Sequence, residues 1–263
     1  MLNLLLLLIL SQTLVGPAAA DRLRERQIGE QVESKVRVGE AVTLKTGEVE
    51  FLAIHAKALT RQTQGGVILL HDRGANPDWR AVIHPLRSAL PAHGWETLSI
   101  QLPVASVDAA DDRYDELMPK AFPRLDFAVD FFSQRQLMNI VVIGHGQGGR
   151  TLLQWLAKAI PEPVRAGVAI GLTATEPDIE PGTLNSLGRI KLPLLDLYGS
   201  RDRSEVVDTA PKRAAAAREA DNSDYRQLRI EGADHDFRGL DALLVSRVRA
   251  WMARVAPGRE KQL

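Results

Sequence analysis

Apolar and polar positions divide this chain at about residue 40. Residues 4–10 form an unbroken apolar run. Residues 21–38 are rich in charge, with Leu23, Ile28 and Val32 the only substantial apolar side chains before Val36, and they predict a surface helix or arm. Beyond that point the texture changes. Residues 42–44 and 49–55 read as two short strands around a Thr46-Gly47 turn. Residues 67–71, entered from Gly65-Gly66, are a continuous apolar run of the kind that marks a strand buried on both faces. Similar runs recur at 97–102, 139–143, 164–172, 193–198 and 225–230. Helical spacing lies between them at 85–93, 125–132, 152–160 (stopped by Pro161), 208–220 and 240–255. The last of these carries Leu240, Leu243, Leu244, Val248, Trp251, Met252 and Val255 as one apolar stripe. Residues 106–115 are polar and read as a loop.

Strands of this type alternating with helices predict an α/β protein, a mostly parallel sheet with helices on both faces. No internal repeat or dividing linker interrupts it. The expected organisation is a leader (1–20), a charged N-terminal arm (21–38), one domain (39–257) and a short tail (258–263). Only about 20 residues separate the strand at 164–172 from the next, too few for a large lid domain. In such folds chemistry collects at the carboxyl ends of the strands. The ends to inspect are His71-Asp72-Arg73-Gly74, residues 144–149, Asp202 and His235.

Composition narrows the choices. The chain has 33 Lys+Arg against 33 Asp+Glu, a formal charge of zero, which gives no reason to expect a nucleic-acid partner. With no Cys there is no disulfide, thiol nucleophile or Cys-ligated metal. The apolar run at 4–10 is too short to span a bilayer, and Ala18-Ala19-Ala20 supplies a small-residue cleavage pattern. A secretory leader cleaved after Ala20 is therefore expected. Export without cysteine points to a bacterial periplasmic protein, touching membrane only if the leader stays uncleaved.

The strand ends come in the chain order elbow, acid, histidine. Gly144-His145-Gly146-Gln147-Gly148-Gly149 follows one apolar strand, Asp202 the penultimate strand and His235 the last. From about residue 42 to 255 the chain resembles the α/β-hydrolase superfamily. The stretches around His71-Asp72-Arg73-Gly74, Pro77-Asp78-Trp79, His93-Gly94-Trp95 and Gly144-His145-Gly146 also resemble an exported bacterial family of hydrolase-like proteins without an assigned function. The resemblance implies that Gly146, Asp202 and His235 hold the triad positions. It also implies that Asp72, Arg73 and the backbone N–H of Gln147 form the oxyanion-hole region.

Gly146 stands where such a site carries its nucleophilic serine. Covalent acyl transfer needs a side-chain oxygen or sulfur, and glycine has neither. Ser99, Ser200 and Ser204 lie elsewhere, and none follows the elbow strand. His145 is expected to pack beneath the elbow. Asp234-His235-Asp236 offers metal-ligand residue types, but neighbours in a turn do not converge on one ion. No metal or cofactor is expected. The sequence reading is a non-catalytic hydrolase fold of the envelope that binds a small ligand or an envelope protein. The alternative reading is a weak ester or lipid hydrolase using a water activated by Asp202 and His235.

Overall fold

The computed structural model describes residues 20–109, 111–174 and 182–258. All of the expected leader but Ala20, and all of the expected tail but Gly258, lie outside them. Eight strands form one sheet: β1 (Glu40–Thr46), β2 (Val49–Ala56), β3 (Gly65–Leu70), β4 (Trp95–Ile100), β5 (Ile140–His145), β6 (Val164–Ile170), β7 (Leu194–Gly199) and β8 (Tyr225–Ile230). Their spatial order is β1-β2-β4-β3-β5-β6-β7-β8. The pairs β1/β2 and β2/β4 are antiparallel and all later pairs are parallel.

The buried-strand pattern has a direct structural cause. On β3, Val67 and Leu69 face one side of the sheet while Ile68 and Leu70 face the other, and all four are fully buried. On β5, Val141 and Ile143 alternate with Ile140 and Val142 in the same way. Helices α3 (Asp111–Ser133), α4 (Gln147–Lys158), α5 (Thr183–Leu187) and α7 (Ala210–Glu219) cover one face. On the other lie α2 (Ile83–Ala89) and α8 (Asp241–Val255), while the short α6 (Ser204–Val207) follows β7. No large lid stands over the sheet among the described residues. No helix among them is long and apolar enough to cross a membrane.

The structure departs from the sequence reading in several places. Helix α3 starts at Asp111, inside the stretch read as loop, and holds Pro119 and Pro123 within it. Those prolines break the spacing signal, because each removes a backbone donor from the helix. The helix expected at 85–93 is α2 followed by a 3₁₀ turn, Leu90–His93, with Pro91 in its first turn. The small helix α5 had no signal at all.

The charged arm is helix α1 (Arg22–Glu33), capped by the Asp21 carboxylate on Arg24 N at 3.0 Å. It lies on the domain. Val32, Ile28 and Val36 pack with Leu52 and Ile54 of β2. Asp21 N donates to Val104 O at 2.7 Å, and Arg24 Nη1 to Ala105 O at 2.6 Å. Glu25 pairs with Arg124 of α3 at 2.6 Å, both side chains buried.

Candidate active site

Four strand ends meet at the carboxyl edge of the sheet. After β3, His71 is buried and fixes its own loop. Its Nδ1 meets Asp72 O at 2.8 Å, while Nε2 accepts from Leu102 N at 3.0 Å. Burial lowers its pKa to about 4, so the ring is neutral, as one donor and one acceptor require. The loop bearing Asp72 and Arg73 is thereby tied to the chain leaving β4.

The chain turns sharply between β5 and α4. Gly146 sits at φ 49° and ψ −113°, a left-handed conformation that costs a side-chain-bearing residue but not glycine. Its N–H donates to Ile170 O at 2.8 Å, pinning the elbow to the end of β6. Gly148 passes so close to the Leu70 and His71 carbonyls that no Cβ fits there.

Asp72 occupies the space that a side chain at Gly146 would need. A Cβ built on Gly146 would overlap the Asp72 carboxylate, meeting Oδ2 at 2.7 Å and the other carboxylate atoms more closely still. Asp72 Oδ1 accepts from Arg73 N and Gln147 N, each at 2.7 Å. These are the two backbone donors expected to form an oxyanion hole, and here they hold a carboxylate from the chain itself. The Asp72 carboxylate thus sits between the two donors that the resemblance assigns to such a hole.

The other carboxylate oxygen faces the histidine. His235 Nε2 lies 3.1 Å from Asp72 Oδ2, and His235 Nδ1 lies 2.7 Å from Asp202 Oδ1. Arg203 Nη2 stands 3.8 Å from the same Asp72 oxygen. Burial alone would strip the proton from His235, but hydrogen bonds to Asp202 and Asp72 outweigh it and raise the pKa to about 9. At neutral pH the ring is an imidazolium donating to a carboxylate on each side. Burial works against ionising Asp72 too, yet the His235 hydrogen bond and charge and the Gln147 N–H hold its carboxyl well below the usual carboxylate range.

Neighbours fix this ring. Gly171, after β6, leaves room for it, since a Cβ there would stand 2.8 Å from His235 Cε1. His145 lies under it, ring centroids 4.6 Å apart, with Nε2 3.0 Å from the His235 carbonyl. Burial lowers the His145 pKa, so that ring is neutral. Asp72, His145 and His235 are clustered closely enough to raise the question of a cation. The His235 imidazolium has no free lone pair while it is doubly protonated; His145 Nε2 is engaged by a carbonyl, and its Nδ1 is buried without a hydrogen-bond partner among the described residues.

The other expected candidates lie apart from this centre. Ser99 donates to Pro77 O at 2.7 Å, and Ser200 Oγ accepts from Gly232 N. Asp236 pairs with Arg238 at 2.6 Å. The Arg73 guanidinium turns to the Tyr114 ring, 5.8 Å from its centroid. Beside Asp72 is a cavity of about 30 Å³, walled by Arg24 and Ile28 of α1 and by Leu102, Val104, Tyr114 and Gln147. That is room for a very small molecule.

Solved structures share this architecture. Est1E from Butyrivibrio proteoclasticus matches at a TM-score of 0.65 and 13% identity, over 81% of this chain and 98% of its own. A dienelactone hydrolase from Anabaena variabilis matches at 0.63 and 19%, over 82% and 97%. An esterase from Pyrococcus furiosus matches at 0.65 and 17%, over 82% and 91%. At these identities the likeness is one of fold, the α/β-hydrolase fold. Among curated proteins no sequence matches. One family model matches residues 11–114 and 105–254, and the chain belongs to that family, described as protein of unknown function (DUF3530).

Proposed function

We propose that this protein is a pseudo-hydrolase of the bacterial envelope, which binds a small ligand or an envelope protein at a hydrolase-like site without turning over esters. One observation carries the reading: the Asp72 carboxylate fills both the space of the absent nucleophile and the oxyanion hole. Loss of the nucleophile alone costs a serine hydrolase about 10⁶-fold in turnover. Here the donors that would stabilise a tetrahedral oxyanion are also saturated by a charge-assisted acceptor. The water-activating alternative has less support. The nitrogen that would act as base carries a proton and gives it to Asp72. The expected leader supports the envelope location.

One preparation tests both parts. Protein released from its host by osmotic shock is expected to begin at Asp21. It should hydrolyse p-nitrophenyl acetate and butyrate no faster than His235→Ala does, and take no label from a fluorophosphonate. Esterase activity that disappears in His235→Ala would overturn the functional reading, and retention in the cytosol would overturn the location.

A further inference from the structure

We propose that a cleft between the segment after α1 and the loop entering α2 binds a small organic anion carrying two or more negative charges. This site is separate from the strand-end centre, so it does not depend on the pseudo-hydrolase reading. The cavity beside Asp72, at about 30 Å³, has no room for such a molecule. The cleft holds about 440 Å³, within the range of cavities that take small ligands. The two share Ile28, Gly74 and Ala75 as a common wall.

Charge is concentrated here. Lys35, Arg37 and Arg80 line the cleft, and all three are exposed. Among the described residues no carboxylate pairs with any of them, and Arg37 makes only a long contact, 3.4 Å, with Val36 O. Overall composition does not account for this, since basic and acidic residues balance at 33 each. On the other side of α1 the signs are mixed: Glu30, Glu33, Glu48 and Glu50 share a cavity with Arg22 and Arg26. In the cleft only Asp78 is acidic. Cations gathered without partners repel one another, and an anion of more than one charge relieves that repulsion.

Asp78 is already neutralised. Its Oδ1 is held by Arg87 Nε and by His84 Nδ1, each at 2.7 Å. Arg87 is fully buried, and its Nη1 donates to Val38 O at 2.7 Å. A buried guanidinium behind Asp78 therefore cancels the one carboxylate that would repel an anion and leaves the rim cationic.

The loop that carries Arg80 is also fixed in advance. Val82, fully buried, sits at φ 60°, a left-handed backbone that costs a β-branched residue and persists only where packing dictates it. His84 N donates to Trp79 O at 2.9 Å, and Ser99 of β4 donates to Pro77 O at 2.7 Å. Gln31 adds a side-chain amide to the lining, as does Asn76. Asn76 Oδ1 accepts from Asp78 N at 2.9 Å, which leaves its NH₂ group as a donor. Two guanidinium groups and an ammonium suit phosphate or carboxylate groups, which arginine binds at two points.

Calorimetric titration of the protein with pyrophosphate and with citrate at low salt tests the site. Saturable one-to-one binding of at least one anion is expected, weakening as sodium chloride is raised. Lys35→Ala, Arg37→Ala and Arg80→Ala should each weaken it about two- to fivefold, and the triple variant should abolish it. Glu48→Gln, in the neighbouring cavity, should leave it unchanged. All four side chains are exposed, so the variants should melt with the native protein. No saturable binding of either anion, or binding that survives in the triple variant, would overturn the proposal. A phosphate headgroup on a membrane shares this chemistry, so the protein is also sedimented with vesicles containing phosphatidic acid. Capture by vesicles without binding of either soluble anion would assign the charge to a lipid surface and overturn the free ligand. None of these outcomes touches esterase activity, so the pseudo-hydrolase reading stands or falls separately.

Discussion

Gly146 and Asp72 are complementary in volume, because one lacks the side chain whose place the other takes. This decides what restoring the serine would do. In Gly146→Ser the new Cβ meets the Asp72 carboxylate and a left-handed backbone, at a cost of roughly 1–3 kcal/mol. The single variant is expected to melt lower and stay inactive on p-nitrophenyl acetate. Adding Asp72→Gly clears the space and frees both N–H donors, so the double variant should show esterase activity that the single lacks. Activity in Gly146→Ser alone would mean that Asp72 leaves the hole readily.

The charges at this centre also set a pH dependence. His235 has a folded pKa of about 9, raised above the ordinary 6.5, so its contribution is complete below pH 6.5 and is lost as pH rises through 9. His71 works the other way. Its folded pKa of about 4 lies below the ordinary value, so stability falls as pH drops from 6.5 through 4. Urea unfolding followed across pH should give a maximum near pH 6.5, with stability falling on either side. His235→Gln should flatten the alkaline limb and leave the acid one; an unchanged alkaline limb would show that the doubly paired imidazolium does not form.

Among the elements, α1 supplies Arg24 and Ile28 to the cavity wall. Ile28, Val32 and Val36 hold it against β2, and the buried Glu25–Arg124 pair ties it to α3. Glu25→Ala would leave Arg124 buried without its carboxylate, a loss of about 3–5 kcal/mol if the helix stayed docked. Lifting the helix relieves that cost, so hydrogen exchange should quicken across residues 22–33 while β3 and β5 stay protected. Uniform protection in the variant would place the attachment elsewhere. Asp21 N and Arg24 hold the loop after β4, so freeing α1 also opens the wall formed by Arg24 and Ile28.

For the molecule as a whole, local physics made much of the fold readable. Runs such as Val67 to Leu70 and Ile140 to Ile143 show two-sided burial in composition alone, because both faces of a central strand must be apolar. The elbow glycines, Asp202 and His235 were legible because they sit at strand ends in a fixed order. The docking of α1 and the first half of α3 were not, since buried ion pairs and interior prolines leave no period. The missing nucleophile could be read from one position. What fills its place could not, because Asp72 reaches Gln147 N across 75 residues of chain. Periodicity reports which face a residue presents. Whether two loops at neighbouring strand ends bring a carboxylate, two N–H groups and an imidazolium within 3.1 Å depends on sheet order and elbow geometry, which exist only once the chain has folded.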